Sequence, residues 1–243
     1  MRNEAVAIMG SYGENAVSFL AYNLDHSDKE IRKLILDTLI QIGTENALIA
    51  IRACLNDDSI NVKITAIEYL ARLKDKKCLK EIEDLFKSNN EPMLRSTILE
   101  AMIDIGKDED VHALVDILTN NGNIKNIDSI YIPLLIKFAG LRGTSEHILE
   151  LITYITDILI YAEDILSSLT NLKKRYDGEF NISSLLPLLK EIIFSDNIKD
   201  DLKFHGANLI SDIKKVEAKE IIIDLAKKTK NNDLKEFCLG LIN

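Results

Sequence analysis

The chain has no tryptophan, and it has only three prolines and ten glycines among its 243 residues. Long alternation of apolar and polar residues, which is typical of half-buried strands, is also absent. The three cysteines, Cys54, Cys78 and Cys238, are odd in number, far apart and without a C-x-x-C pair. They argue against a disulfide framework and against a zinc finger. We expect them to be small buried apolar residues in a reducing compartment.

Basic residues are fewer than acidic ones: the chain has 30 Lys and Arg, 39 Asp and Glu, and a net charge of −9. A protein that binds duplex nucleic acid needs a basic face, so this balance disfavours nucleic acid as a partner. The most apolar window, residues 148–166, contains four acidic residues and therefore does not predict a membrane span. The N-terminus does not resemble a secretory signal. We expect a soluble, cytoplasmic protein.

A short motif occurs twice, as GENAV at residues 13–17 and as TENAL at residues 44–48. Between the two copies, apolar residues recur on one face of a predicted helix. That face comprises Ile31, Leu34, Ile35, Leu39 and Ile42. Gly43 follows and suits the left-handed residue that ends many helices. The two motifs thus mark the start of the second helix in successive helix pairs.

The same plan returns in the next two units, at offsets of 31 and then 32 residues. The matching apolar positions are Val62, Leu70, Leu73, Leu79 and Phe86, and then Leu94, Met102, Ile105, Val111 and Leu118. A helix pair of this size cannot bury its apolar face alone, so a fixed period predicts stacking of like units. We predict an all-α fold: a right-handed α-solenoid, or α/α superhelix, of about seven stacked antiparallel helix pairs.

The pattern is uneven along the chain. Clear repeats span residues 13–118, the middle from 119 to 197 is irregular, and the pattern is recovered over 198–243. We predict one continuous domain over 1–243 rather than two independent ones.

The clear units resemble HEAT-like repeats, in particular the short kind named after phycobilin lyases. The resemblance rests on the pairs Ile31-Arg32, Val62-Lys63 and Leu94-Arg95, and on the helix endings at 41–43 and 104–106. It implies a ladder between repeats, built from each basic residue and an acidic or amide residue six positions before it. The pairs at that spacing are Asp57 with Lys63, Asn89 with Arg95, and Asn197 with Lys203. The resemblance implies an architecture and little about function.

Motifs for catalysis or phosphate binding are missing: there is no glycine-rich phosphate loop, no H-E-x-x-H and no G-x-S-x-G. His112 and Asp116 lie four residues apart and could supply two metal ligands, but a site needs three or four. We therefore expect a solvated surface pair, with no metal, cofactor or catalytic residue. The basic run at 173–176 is open to two interpretations, a phosphate contact or a favourable helix C-terminus.

In stacked helix pairs the second helices usually line the concave side. Their outward positions form two columns, with Ser18, Ile49, Lys80 and His112 in one and Tyr22, Ala53, Asp84 and Asp116 in the other. Such a groove could hold a peptide or a helix of a partner protein. The predicted partner-binding residues are Tyr22, Ile49, Lys80, Asp84, His112 and Asp116; the alternative is that they are ordinary surface residues.

The leading hypothesis is a non-enzymatic binding scaffold, or adaptor, that presents its concave helix face to a protein partner. The resemblance also leaves an enzymatic alternative, a tetrapyrrole (phycobilin) lyase-like subunit or another HEAT-like enzyme. A regulatory module that works beside a signalling protein is a third possibility.

Overall fold

The computed structural model describes residues 2–107, 110–120, 127–176 and 182–242. All regular secondary structure in these ranges is helical, which confirms the all-α prediction. The chain divides into two compact units, residues 1–107 and residues 108–243, and each unit is described by itself. The single domain over 1–243 and the right-handed twist stay predictions.

Over its described residues, 2–107, the first unit contains seven α-helices, with 3₁₀ turns at Asn23–Asp25, Cys54–Asn56 and Lys76–Cys78. The α-helices are α1 (Arg2–Ser11), α2 (Glu14–Tyr22), α3 (Lys29–Ile42), α4 (Glu45–Ala53), α5 (Ile60–Arg72), α6 (Leu79–Ser88) and α7 (Pro92–Ile105).

Alternate helices of this unit pack against each other. Helix α3 contacts α1 on one side and α5 on the other, and α5 in turn contacts α7, while α2 contacts α4 in a second row. The residues between the rows are fully buried, including Leu36, Leu39, Ile67, Leu70 and Leu94. Each helical hairpin therefore buries its apolar face against its neighbours, as the repeated spacing predicts.

The helix ends show which local signals shape the repeat. Gly43 adopts the left-handed conformation, with a φ of 63°, and its N–H reaches the carbonyl of Leu39. Gly106 occupies the equivalent place but has an extended backbone, with a φ of −66°. The left-handed ending expected at Gly43 is therefore confirmed, and α7 ends at Gly106 with a different backbone conformation.

The repeated motifs GENAV and TENAL contact each other. The Asn46 side chain donates a hydrogen bond to Glu14, one repeat earlier. One repeat later, the Lys77 ammonium lies 2.8 Å from Glu45. Both glutamates lie in the first turn of their helix, where negative charge suits the helix dipole. These polar contacts join equivalent corners of successive repeats.

The second unit contains eight α-helices in its described residues. They are α8 (Asp110–Thr119), α9 (Ile132–Arg142), α10 (Ser145–Ile152), α11 (Ala162–Tyr176), α12 (Leu186–Phe194), α13 (Asp200–Ser211), α14 (Val216–Lys228) and α15 (Asn232–Ile242). Two 3₁₀ turns, Ile158–Tyr161 and Ser183–Leu185, precede α11 and α12.

The stacking of alternate helices also holds here. One row runs α9, α11, α13 and α15, and the other row shows contacts between α8 and α10 and between α12 and α14. Within the stretch predicted as irregular, 119–197, α9 stacks on α11 in the same manner, α10 contacts α8, and α12 contacts α13 and α14. Most of its polar segment at 120–128 and part of its loop at 173–181 lie outside the described residues.

Helices α9 and α11 approach each other closely at a glycine. A Cβ atom added at Gly140 would lie 2.6 Å from the Cα of Ser168 on α11. The Ser168 hydroxyl donates a hydrogen bond of 2.8 Å to the carbonyl of Ile136, one turn before Gly140. Gly140 therefore permits the close contact that this hydrogen bond requires.

We predict that Gly140→Ala lowers the free energy of unfolding by about 1–3 kcal/mol, because the added methyl group overlaps backbone atoms of α11. Gly240→Ala is the matched control, since a Cβ there meets nothing within 4 Å and Gly240 also lies in a helix. The control is expected to be neutral or stabilising by up to about 1 kcal/mol. Urea unfolding of the full chain measures both, and equal effects would contradict the close approach of α9 and α11.

Candidate functional site

A groove lies between helices α2 and α4 of the first unit, with a volume of about 790 Å³. Its lining is apolar along the middle and polar at the ends. The lining residues are Val17, Ser18, Ala21, Tyr22, Leu24, Asp25, Asn46, Ile49, Ala50, Ala53, Cys54, Asn56 and Asp57. The predicted columns on α2 and α4, which contain Ser18, Tyr22, Ile49 and Ala53, thus line one groove. That a partner binds there stays a prediction.

Two large apolar side chains of the groove face solvent. Tyr22 on α2 is 82% exposed and Ile49 on α4 is 52% exposed. The exposed residues Ala21 and Ala53 leave space beside them. Surface residues of this size are common singly, but here two of them lie in one concave feature.

One end of the groove is acidic. Helices α2 and α4 both finish there, in the turns Asn23–Asp25 and Cys54–Asn56, and the C-terminus of a helix carries partial negative charge. Asp25 is exposed, and it and Asp57 both line the groove.

Asp57 forms a paired contact with the preceding repeat. Arg32 on α3 holds it with two bonds, Nε to Oδ2 at 2.7 Å and Nη2 to Oδ1 at 2.8 Å. Burial alone would raise the pKa of Asp57, but the hydrogen bonds from Arg32 and from the backbone N–H of Ser59 lower it below its usual value. This pair joins two successive repeats, as the ladder implied by the family resemblance does, but its members are 25 residues apart rather than six. In contrast, Arg95 binds the carbonyl oxygen of Asn89 at 2.7 Å, within its own repeat.

The Cys54 thiol lies in the groove but is not activated. Burial, with a smaller contribution from the charge of Asp57, raises its pKa to about 12. A thiol with such a pKa stays protonated at neutral pH, and the thiolate is the reactive form.

Two other predicted residues, Lys80 and Asp84 on α6, pair with each other. Their charged groups are 3.0 Å apart, and both side chains are exposed. They are not among the residues that line the groove between α2 and α4. Their predicted role in partner binding therefore depends on a separate surface of α6 and stays a prediction.

The remaining two predicted residues, His112 and Asp116, lie on α8 in the second unit and meet a third group. His112 Nε2 is 3.6 Å from Asp116 Oδ2, and His112 Nδ1 is 3.1 Å from Glu150 Oε2 on α10. The hydrogen bond with Glu150, and then the charges of Glu150 and Asp116, raise the pKa of His112. All three side chains reach solvent. Glu150 is 38 positions from His112, so local spacing does not reveal it.

The basic run at 173–176 forms the end of α11. Arg175 donates a hydrogen bond of 2.9 Å to the carbonyl of Gly143, just after the end of α9, and Lys173 pairs with Asp212. These contacts support the helix-end interpretation of the run over the phosphate contact.

Alternate helices that stack in both units define a helical-repeat protein. Residues 50–126 match the family model of HEAT repeats, in agreement with the resemblance seen in the sequence. No curated protein sequence matches the chain. A solved structure of human deoxyhypusine hydroxylase in complex with glycerol is 13% identical over 97% of each chain, with a TM-score of 0.36, which carries no argument about function.

Within the described residues, none of the helices has the length and apolar character needed to cross a membrane.

We predict that Arg32→Ala lowers the free energy of unfolding at pH 7 by about 2–3 kcal/mol, because it leaves the half-buried Asp57 carboxylate without its charged donor. The pKa of Asp57 is lower in the folded chain, so the stabilisation is full above the unfolded value of about 3.9 and is lost as pH falls through the folded value. The difference between wild type and variant should therefore shrink below about pH 4.

Urea unfolding from pH 3 to pH 8 measures this difference. Arg72→Ala is the control, because Arg72 is an exposed arginine of the same unit, and we expect a change below about 0.5 kcal/mol. A difference for Arg32→Ala that stays constant down to pH 3 would contradict the role of the Asp57 charge.

Proposed function

We propose that this protein is a non-enzymatic binding scaffold, and that the groove between α2 and α4 holds a segment of a partner protein. The segment is one that carries a bulky apolar residue followed by lysine or arginine. The observation that carries the proposal is the pairing of exposed Tyr22 and Ile49 with an acidic end in one groove.

The apolar part of the groove supports a protein partner. Tyrosine is among the residues that most often dominate binding energy at interfaces, and it loses little side-chain entropy on binding. Burial of Tyr22 and Ile49 under an apolar side chain removes both from water, which is favourable by roughly 25 cal/mol per Å². The small lining residues Ala21 and Ala53, on the same two helices, leave room for that side chain.

The charge of the groove supports a basic residue in the partner. Asp25 and the C-terminal ends of α2 and α4 place negative charge at one end. The net charge of −9 also favours the approach of a basic segment over an acidic one, nucleic acid included.

The lack of an activated nucleophile in the groove supports binding rather than catalysis. Cys54 is the thiol in its lining, and its pKa of about 12 keeps it protonated. The lyase alternative has no observation in its favour and stays a prediction.

We also propose a cytoplasmic location, which is supported by three cysteines that are free and buried, since oxidising compartments favour disulfides.

Selection from a randomised peptide display library tests the proposal. We expect wild-type protein to enrich peptides with an aromatic or large aliphatic residue next to lysine or arginine. Ile49→Glu places a charge in the apolar part of the groove and should weaken binding of the selected peptides by about tenfold or more, an effect of 1.4 kcal/mol or more.

Ile8→Glu is the matched control, because Ile8 is a 60% exposed isoleucine on α1 that does not line the groove. It should bind the selected peptides as the wild type does. Equal loss in both variants, or equal retention in both, would overturn the assignment of binding to this groove.

A charge reversal tests the acidic end separately. Asp25→Lys should shift the enriched peptides from basic to acidic residues at the position that meets this end, because like charges repel in the groove. The readout is the residue frequency at each peptide position after selection on wild type and variant. Unchanged enrichment of lysine and arginine on the variant would contradict a role for Asp25.

A further inference from the structure

Three side chains of the types that bind metal ions converge in the second unit, whereas the groove belongs to the first. His112, Asp116 and Glu150 each offer one ligand atom, and these atoms lie within 4.8 Å of one another; no other such group was found in the part of the chain that the structure describes. Two of the residues share α8, and the third comes from α10, a helix that packs against α8.

The pair on α8 has the separation of two ligands of one ion. His112 Nε2 and Asp116 Oδ2 are 3.6 Å apart. Zinc binds histidine nitrogen and carboxylate oxygen at about 2.0–2.2 Å, and at those distances two tetrahedral ligand atoms are about 3.4 Å apart. Residues four apart face the same side of a helix, so both ligands can approach the ion together.

Glu150 meets the other nitrogen of the same imidazole. Its Oε2 lies 3.1 Å from His112 Nδ1, within hydrogen-bond distance. A carboxylate that accepts a hydrogen bond from Nδ1–H fixes the tautomer in which Nε2 carries the free lone pair. The side chain of Glu150 is 28% exposed against 60% for His112, which makes it the more enclosed of the two.

We propose that His112 and Asp116 bind a divalent transition-metal ion such as Zn²⁺ at the surface of the second unit, and that Glu150 orients the histidine. His112 Nε2 and an oxygen of Asp116 are two of the ligands, and water or a group from another molecule supplies the others that a zinc site needs. The combination of imidazole and carboxylate suits zinc better than magnesium or calcium, which prefer oxygen ligands alone. This site is independent of the groove in the first unit.

Other titratable groups near the cluster have separate roles. His147, one turn before Glu150, accepts a hydrogen bond of 2.9 Å at Nδ1 from the backbone N–H of Thr144. It thereby belongs to the start of α10, and the site is assigned without it. In the absence of metal, a protonated His112 would pair with the carboxylates of Asp116 and Glu150. A proton and a metal ion therefore compete for His112 Nε2.

Isothermal titration of untagged full-length protein with ZnCl₂, after treatment with chelator, tests the site. We expect one ion per chain with an affinity that drops at least tenfold in His112→Ala and in Asp116→Asn. Asp116→Asn keeps the size of the side chain, and circular dichroism of each variant checks that the fold is retained. Glu150→Ala should weaken binding by about tenfold without abolishing it, since it removes the orienting group and not a ligand.

His205→Ala is the matched control. His205 is an exposed histidine on α13 with Asp201 four residues before it, but the structure brings no third ligand to that pair. It should bind zinc as wild type does. Failure of wild type to bind zinc, or equal binding by wild type, His112→Ala and Asp116→Asn, would show that the cluster holds a proton only and would overturn the proposal.

Discussion

The structure depends on one constraint: a helical hairpin of about 30 residues has an apolar face that only its neighbours can cover. In each unit the helices of one row pack on the next helix of the same row, and leucines and isoleucines between the rows are fully excluded from water. The repeat period follows from this constraint, because a hairpin with a shifted apolar stripe would leave its neighbour uncovered. The outer faces of α2 and α4 do not cover a neighbouring hairpin, so Tyr22 and Ile49 on these faces can remain exposed.

Polar contacts fix the alignment of neighbouring hairpins, which apolar packing alone does not determine. Arg32 reaches into the following repeat to hold Asp57, and Asn46 and Lys77 each reach back to the glutamate of the preceding corner. Such contacts are directional, so they favour one alignment of neighbouring hairpins over others with similar apolar burial. Gly140 has a comparable effect in the second unit, where it lets α9 approach α11 closely enough for the Ser168 hydrogen bond.

The sequence predicts the helices and their stacking well, because both depend on spacing along the chain, as at Leu39 and Leu70. It predicts α2 and α4 residues of the groove for the same reason. It does not reveal that Glu150 meets His112, since this contact depends on how α10 packs against α8. It also does not distinguish the left-handed Gly43 from the extended Gly106, because a glycine permits a left-handed ending without requiring one.

Native-state hydrogen exchange of the full chain with Leu169→Ala tests the stacking of hairpins most directly. Leu169 is fully buried on α11, which contacts α9 and α13, while α15 contacts α13. If each hairpin is stabilised by its nearest neighbours, amide exchange should speed up most in α9, α11 and α13 and less in α15. An equal increase throughout residues 127–242, as expected for one shared core, would contradict this account.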